Sequence, residues 1–196
     1  KRGTWLHRIT QAFLESDLPK NKRSIEYLID IAKNDEETRN KIDDLDENFV
    51  EYNLLARDII PVYIESFLYK FDPIAVEPFI KIPTIQGSID MSGQNNGQYY
   101  IIDHKTTARI NHQNGRRKFS CDSEIGSYKN QICIYTDLAI AEGLIPECER
   151  NNIQYRINQS HLISHEIKQF VIQNEEIQKR KENCDKVLEW YWEMRG

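Results

Sequence analysis

The spacing of apolar residues predicts helices in the first third of the chain and again after residue 123. Apolar positions recur three and four residues apart in four stretches, residues 4–16, 24–33, 47–71 and 124–142. Thr4 is a candidate N-cap, Pro61 is expected to kink or divide the third helix, and Gly143 follows the fourth as a stop signal. The polar stretch between the second and third helices is predicted to be an exposed connection.

Strand patterns begin after this helical part. Residues 75–82 alternate between apolar and polar side chains, and Pro78, which cannot donate to a ladder, favours an edge or an irregular start. Residues 153–158 predict another short strand. A long final helix is predicted to follow a cap at Ser160 or Ser164. Helices around a run of strands predict an α/β or α+β fold with a central mixed sheet.

The most informative stretch, residues 87–105, predicts a β-hairpin. Asn96 and Gly97 lie between two apolar runs and favour a two-residue type I′ turn. With these two residues in the turn, the numbers of opposed residues sum to 193, so Asp90 faces Asp103. Lys105 is two residues beyond Asp103 and therefore shares its face.

Two opposed carboxylates predict a cation site. Opposed Cβ atoms in an antiparallel pair are about 4.5–5.5 Å apart. Unpaired carboxylates at that separation repel and raise each other's pKa, and a divalent cation held by Asp90 and Asp103 would relieve this cost. The alternative is an exposed hairpin with ordinary surface acids.

Four further residues are candidate site residues because of their positions on predicted helices and strands. His7 is four residues after Gly3 on the first predicted helix, and the missing side chain at Gly3 would leave room above the imidazole. A surface or core histidine is the alternative. Glu77, on the predicted strand, could be a third acid near the metal or an ordinary glutamate. Gln131 and Tyr135, four residues apart, share a helix face.

Length and charge narrow the class of protein. The chain has 196 residues, which predicts a single domain over 1–196, with a helical part at about 1–72 and the sheet with its helices at about 73–196. The 31 acidic and 26 basic side chains give a charge of −5, which argues against a protein that coats nucleic acid. A locally basic segment follows the hairpin, with Arg109, Arg116, Arg117 and Lys118. It fits a phosphate-containing substrate, and a solvated charged loop explains it equally well.

Cysteine spacing and hydropathy suggest a soluble intracellular protein. The four cysteines lack the close spacing of zinc or iron–sulfur sites and are expected to be reduced. No apolar run approaches the roughly 20 residues that cross a bilayer, and the start lacks a signal peptide. The chain starts without methionine, which is consistent with an excised domain.

Four short motifs resemble the PD-(D/E)XK nuclease superfamily. They are Gly-x-x-x-His at Gly3 and His7, Gly-x-Ile-Asp ending at Asp90, Ile-Ile-Asp-x-Lys-Thr ending at Thr106, and Gln-x-x-x-Tyr at Gln131 and Tyr135. Their order is similar to the RecB-type exonuclease branch, which includes phage exonuclease VIII-like enzymes and the mitochondrial genome maintenance exonuclease. The resemblance implies a restriction-endonuclease-like fold with the active site on the hairpin.

The resemblance also implies roles for these residues. Asp90, Asp103, His7 and the main-chain carbonyl of His104 would bind Mg²⁺ or Mn²⁺, and Lys105 would orient the attacking water or stabilise phosphate charge. Glu77 matches an upstream acid of many members. Gln131 and Tyr135 would help to position Lys105 and the scissile strand. The nucleic-acid-binding segment would include Thr106 with the basic residues that follow it. The cysteines do not match the family's iron–sulfur pattern, so no cluster is expected.

The implied function is a metal-dependent DNA exonuclease that acts on a free end or a single strand in repair, recombination or replication. Its partner would be DNA, with a helicase or polymerase domain as a further candidate in an intact protein, and no membrane. Alternatives are a structure-specific or RNA-directed endonuclease of the same fold, an inactive nucleic-acid-binding module, and a ligand-binding domain with chance acids.

Overall fold

A computed structural model describes residues 1–81, 86–108, 119 and 122–193, and it has the predicted α/β architecture. Its α-helices are α1 (Arg2–Glu15), α2 (Ile25–Asn34), α3 (Glu36–Lys41), α4 (Leu45–Tyr63), α5 (Asp122–Ala141) and α6 (Asn174–Glu193). Its strands are β1 (Asp72–Val76), β2 (Phe79–Lys81), β3 (Gln86–Ser88), β4 (Met91–Asn95), β5 (Gln98–Thr107), β6 (Gln154–His161) and β7 (Ile167–Ile172).

A mixed five-stranded sheet organises the described residues, in the order β1-β4-β5-β6-β7. The β5–β6 pair is parallel and the other neighbours are antiparallel. A parallel pair needs a long crossover, which α5 provides between β5 and β6. Strands β2 and β3 form a separate two-stranded sheet.

Helices cover both faces of the five-stranded sheet. Side chains on β5 alternate between the two faces and so contribute to two separate cores. Tyr100 and Ile102 belong to the core that includes α1, α2 and α4. Ile101 belongs to the second core, which includes α5 and Ile177 of α6. The result is three layers, with the site residues of β5 reaching both sides of the sheet.

Local sequence explains several element ends. Ser24 caps α2 by accepting a 3.2 Å hydrogen bond from Tyr27 N, and Asp35 caps α3 by accepting a 2.7 Å bond from Thr38 N. Helix α3 therefore occupies part of the stretch predicted to be a connection. Gly143, with φ of 74°, follows the end of α5 as predicted.

The predicted starts and breaks of the other helices need correction. Helix α1 begins at Arg2, and no side chain caps it, so Thr4 is not the N-cap. Pro61 lies inside α4 without dividing it, and a π-helical turn at Ile64–Leu68 carries the chain on to β1. In that turn Tyr69 N donates to Ile64 O, which is the i to i+5 hydrogen bond of a π-helix.

The predicted strand over 75–82 is two strands. Strand β1 ends at Val76 and β2 begins at Phe79, because the chain turns at Glu77, whose φ is 45°, and Pro78 cannot continue a ladder. The predicted helix start at Ser160 or Ser164 is also wrong, since Ser160 lies in β6. Strand β7 then precedes α6.

Two further observations concern hydropathy and cysteines. Among the described residues, no helix has both the length and the hydrophobicity that a membrane crossing requires. Cys133 is buried and Cys148 is exposed. Cys121 and the side chain of Cys184 lie outside the described part, so the expected lack of an iron–sulfur cluster stays a prediction.

Candidate active site

The hairpin has the predicted turn and register. Asn96 and Gly97 have φ of 51° and 79°, as a type I′ turn requires, and Asn95 pairs with Gln98. Each later pair of the ladder sums to 193, up to Met91 with Ile102. The ladder stops one pair before Asp90 and Asp103.

Asp90 is held beside β5 by its side chain. Its Oδ2 accepts a 2.7 Å hydrogen bond from the main-chain N–H of His104, the residue after Asp103. Its carbonyl accepts a 3.1 Å bond from Glu77 N. Asp90 therefore sits where the end of the hairpin meets the turn after β1, rather than in the ladder position that the register predicts.

Asp103 and Lys105 share one face of β5, as predicted. Lys105 Nζ donates to Asp103 Oδ1 at 2.7 Å, and Asp103 is 0 % exposed. Asp103 Oδ2 is also buried, and it has no hydrogen-bond partner among the described residues. Burying a carboxylate oxygen without a hydrogen-bond donor costs free energy. Asp103 Oδ2 is therefore a strong acceptor for which the described residues supply no donor.

Burial and charge together disturb the protonation of Asp103. Burial raises the pKa of Asp103 to about 7, and the charge of Asp90 adds to the rise, while Lys105 opposes it. Asp90 is thus close enough to repel Asp103. A cation bound between the two carboxylates would reduce this repulsion.

Asp90 and Asp103 offer the hard oxygen donors that Mg²⁺ and Mn²⁺ prefer, and the unpaired Oδ2 of Asp103 fits a cation. Within the described ranges, no three His, Cys, Asp or Glu side chains are grouped so that they could hold a metal ion. The two carboxylates can supply part of a donor set, and the carbonyl of His104 as a further ligand stays a prediction.

His7 and Glu77 bind each other at the edge of this site. His7 Nε2 lies 2.8 Å from Glu77 Oε1, and Arg8 Nη1 lies 3.4 Å from Glu77 Oε2. Burial acts to lower the pKa of His7, but the Glu77 hydrogen bond and the Asp90 charge outweigh it and raise the pKa. His7 as a metal ligand stays a prediction, since its Nε2 is engaged by Glu77.

Helix α5 carries three side chains near Lys105 and the two acids, namely Tyr128, Gln131 and Tyr135. Gln131 Nε2 donates to the Tyr135 hydroxyl, and burial followed by the charges of Asp90 and Asp103 raises the pKa of Tyr135. Lys105 Nζ lies 5.4 Å from the centre of the Tyr128 ring. Tyr128, one helical turn before Gln131, is a site residue that the sequence analysis does not predict.

Tyr63 was also missed, and it supports the opposite face of β5. Its hydroxyl lies 2.5 Å from Nδ1 of His104, and burial lowers the pKa of His104 well below its usual value. The His104 imidazole is therefore neutral. Because the main-chain N–H of His104 holds Asp90, this contact from α4 fixes the backbone between Asp103 and Lys105.

A cavity of about 910 Å³ lies at the candidate site and includes Asp90 and Lys105 in its lining. Its lining includes residues from α1, β3, β5 and the turn after β1, namely Gly3, His7, Arg8, Glu77, Ser88, Asp90, His104, Lys105 and Thr106. Arg109, Arg116, Arg117 and Lys118 lie outside the described residues, so their predicted contact with nucleic acid stays a prediction.

The role of Gly3 differs from the one predicted. A Cβ at Gly3 would overlap Thr106 Oγ1 and lie 3.4 Å from Thr106 Cβ. The small residue therefore lets α1 approach β5 closely at Thr106, which is exposed at the site. The proximity of His7 to the site follows from this approach.

We expect Gly3→Ala to lower the free energy of unfolding by about 1–2 kcal/mol, because α1 must shift away from β5 or Thr106 must rotate. Gly126→Ala, in α5, is the matched control. Among the described residues, a Cβ there would meet only Arg180 Nη2, at 3.5 Å, so the higher helix propensity of alanine should raise stability by about 0.5–1 kcal/mol.

Urea denaturation of both variants measures these changes. Adding Thr106→Ala removes the overlapping oxygen and should restore most of the loss caused by Gly3→Ala. Equal effects of the two glycine substitutions would contradict the close approach.

Comparison with known proteins assigns the chain to a family. A model of the PD-(D/E)XK nuclease superfamily matches residues 1–193. A comparison with curated proteins found no match. Members of this superfamily are typically nucleases that use divalent metals such as Mg²⁺. With a match over almost its whole length, the chain belongs to the PD-(D/E)XK nuclease superfamily.

Proposed function

We propose that this chain is a Mg²⁺- or Mn²⁺-dependent deoxyribonuclease of the RecB-type branch, which hydrolyses DNA from a free end or a single strand. One observation carries the proposal. Asp103 has a buried Oδ2 that forms no hydrogen bond with any described residue, it lies close to Asp90, and Lys105 is 2.7 Å from its other oxygen. The context would be DNA repair, recombination or replication.

The proposed chemistry follows from the charges needed at a phosphodiester. A divalent ion held by Asp90, Asp103 and the His104 carbonyl would supply positive charge and an acidified water. Lys105 would add a fixed positive charge near the phosphate oxygens, in a partly buried site where electrostatic interactions are strong. Asp103 orients Lys105 through their hydrogen bond.

The remaining groups would position substrate and protein. Tyr128 and the Gln131–Tyr135 pair on α5 cover the Lys105 face and limit its movement. On the other face, Tyr63 holds the His104 ring while the His104 N–H holds Asp90. Glu77 and His7 border the cavity as a hydrogen-bonded pair that would orient water or substrate.

A cleavage assay tests the proposal. End-labelled single- and double-stranded DNA should be degraded with Mg²⁺ or Mn²⁺ and remain intact with chelator. A covalently closed circle should also remain intact, because an exonuclease needs an end. Cutting of the circle would favour the endonuclease alternative, and intact linear DNA under every metal condition would remove the proposed activity.

A further inference from the structure

The small sheet formed by β2 and β3, here called the β2–β3 arm, is attached directly to the site acids. Ile89 N donates to Pro78 O at 3.3 Å, and Ser88 Oγ donates to Glu77 O at 3.1 Å. The Glu77–Asp90 main-chain bond closes the base of the arm. The base of the arm is therefore fixed relative to Asp90.

One face of the arm packs on α5. Ile80 is buried in the core that contains α5. A Cβ at Gly87, its register partner, would lie 3.5 Å from Leu138 Cδ1 and 4.0 Å from Tyr135 Cε1. These are ordinary van der Waals distances, so the arm lies against the helix that carries Gln131 and Tyr135.

The opposite face of the arm is exposed and carries a large aromatic ring. Phe79 is 68 % exposed, and Lys81, two residues along the same strand face, is also exposed. Ser88 is the register partner of Phe79, so their side chains lie on the same face. Ser88 lines the 910 Å³ cavity together with Glu77 and Asp90. Phe79 therefore lies next to a residue of the cavity lining, on the same face of the arm.

This combination fits a nucleic-acid strand. Every base has a face that can stack on an aromatic ring, and a lysine nearby can contact the backbone phosphate. The two side chains are held on a strand, so their spacing is set before substrate arrives. An aromatic ring and a positive charge beside a candidate phosphodiester site match the alternating bases and phosphates of a single strand.

We propose that Phe79 stacks on a base of the substrate strand close to the scissile phosphate, with Lys81 facing the backbone beyond it. This inference rests on the proposed nuclease function. It assigns the β2–β3 arm as the surface that grips an unpaired strand. Within duplex DNA both faces of each internal base are already stacked, so an unpaired strand offers more sites for this contact.

The test measures binding in chelator, where cleavage is not expected. A single-stranded oligonucleotide carrying 2-aminopurine near its end reports stacking by fluorescence quenching, and its anisotropy reports affinity. Phe79→Ala should weaken binding about 10-fold and reduce the quenching, while Phe79→Trp should keep both. Tyr69→Ala, which removes another exposed aromatic ring (45 %), should leave both unchanged.

Abasic oligonucleotides locate the contact. Removing the stacked base should weaken wild-type binding by about the same factor as Phe79→Ala, and it should weaken binding by the variant no further. Lys81→Ala should reduce the salt dependence of binding by about 0.7 in the slope of log affinity against log salt.

The outcomes separate this inference from the proposed function. Wild-type protein that cuts DNA, with Phe79→Ala binding and quenching equally well, overturns the stacking role alone. Wild-type protein that neither binds nor cuts nucleic acid removes the nuclease proposal and the stacking role together. A change in self-association of Phe79→Ala, measured by sedimentation without any change in DNA binding, would assign the face to protein contact and overturn the inference.

Discussion

Replacement of Lys105 by methionine should lower the rate of DNA cleavage on the order of 10³-fold, because the proposed reaction loses its fixed positive charge. Methionine has an unbranched side chain of similar size without the charge, so the substitution removes the ammonium that lies 5.4 Å from the centre of the Tyr128 ring. Single-turnover cleavage of an end-labelled strand with saturating Mg²⁺ measures the rate. Asp103→Asn, which removes the buried carboxylate, should give a loss at least as large.

Controls distinguish loss of chemistry from loss of fold. Lys70→Met removes an exposed lysine after α4 and should cleave at the wild-type rate. The Lys105→Met variant should bind the oligonucleotide in chelator with nearly unchanged affinity, and its thermal midpoint should stay within a few degrees of wild type. Cleavage by either site variant at more than a tenth of the wild-type rate would show that the reaction does not depend on the Asp103–Lys105 pair.

The hairpin could be predicted from sequence because its turn and its register depend on residues that are close together in the chain. Asn96 and Gly97 fix the turn, and the two-residue period then fixes which side chains share a face. Lys105 beside Asp103 follows from this arithmetic. The position of Asp90 does not, because β3 leaves to pair with β2 and the ladder ends at Met91.

Strand β7 was missed because its apolar residues satisfy two periods. Ile167, Phe170 and Val171 are spaced three and four apart as in a helix, but Phe170 and Ile172 also alternate as in a strand. Pairing with β6, from Tyr155 with Ile172 to Ser160 with Ile167, decides the outcome. Tertiary pairing overrides the local pattern here.

The supporting contacts of the site depend on residues far apart in sequence. Tyr63 meets His104 across 41 positions, and His7 of α1 meets Glu77, which follows β1. A single sequence gives the residue types but not these distances. The same reasoning explains why Gly3 was assigned to the wrong neighbour, since its partner Thr106 lies on another element.

Binding of Mg²⁺ should depend on pH through Asp103. Without metal, burial and the nearby Asp90 charge hold the pKa of Asp103 at about 7. This value is above the usual range for an aspartate, so the folded protein takes up a proton that the unfolded chain lacks. The contribution of Asp103 to stability therefore falls as pH rises from about 4 to about 7 in metal-free protein.

A cation has to displace that proton at low pH. We expect about one proton to be released per bound Mg²⁺ near pH 6 and almost none near pH 8.5, with affinity rising up to about tenfold per pH unit below 7. Calorimetric titration in two buffers with different ionisation enthalpies measures the protons released.

Asp103→Asn is the decisive comparison for this linkage. It removes the titrating group together with one proposed ligand, so any remaining Mg²⁺ binding should be weaker and should show little change across the same pH range. The rise in thermal midpoint on adding Mg²⁺ should also be largest for wild type at high pH, where both carboxylates are ionised and repel each other most. Equal Mg²⁺ affinities for wild type at pH about 6 and 8.5 would place the ion away from Asp103.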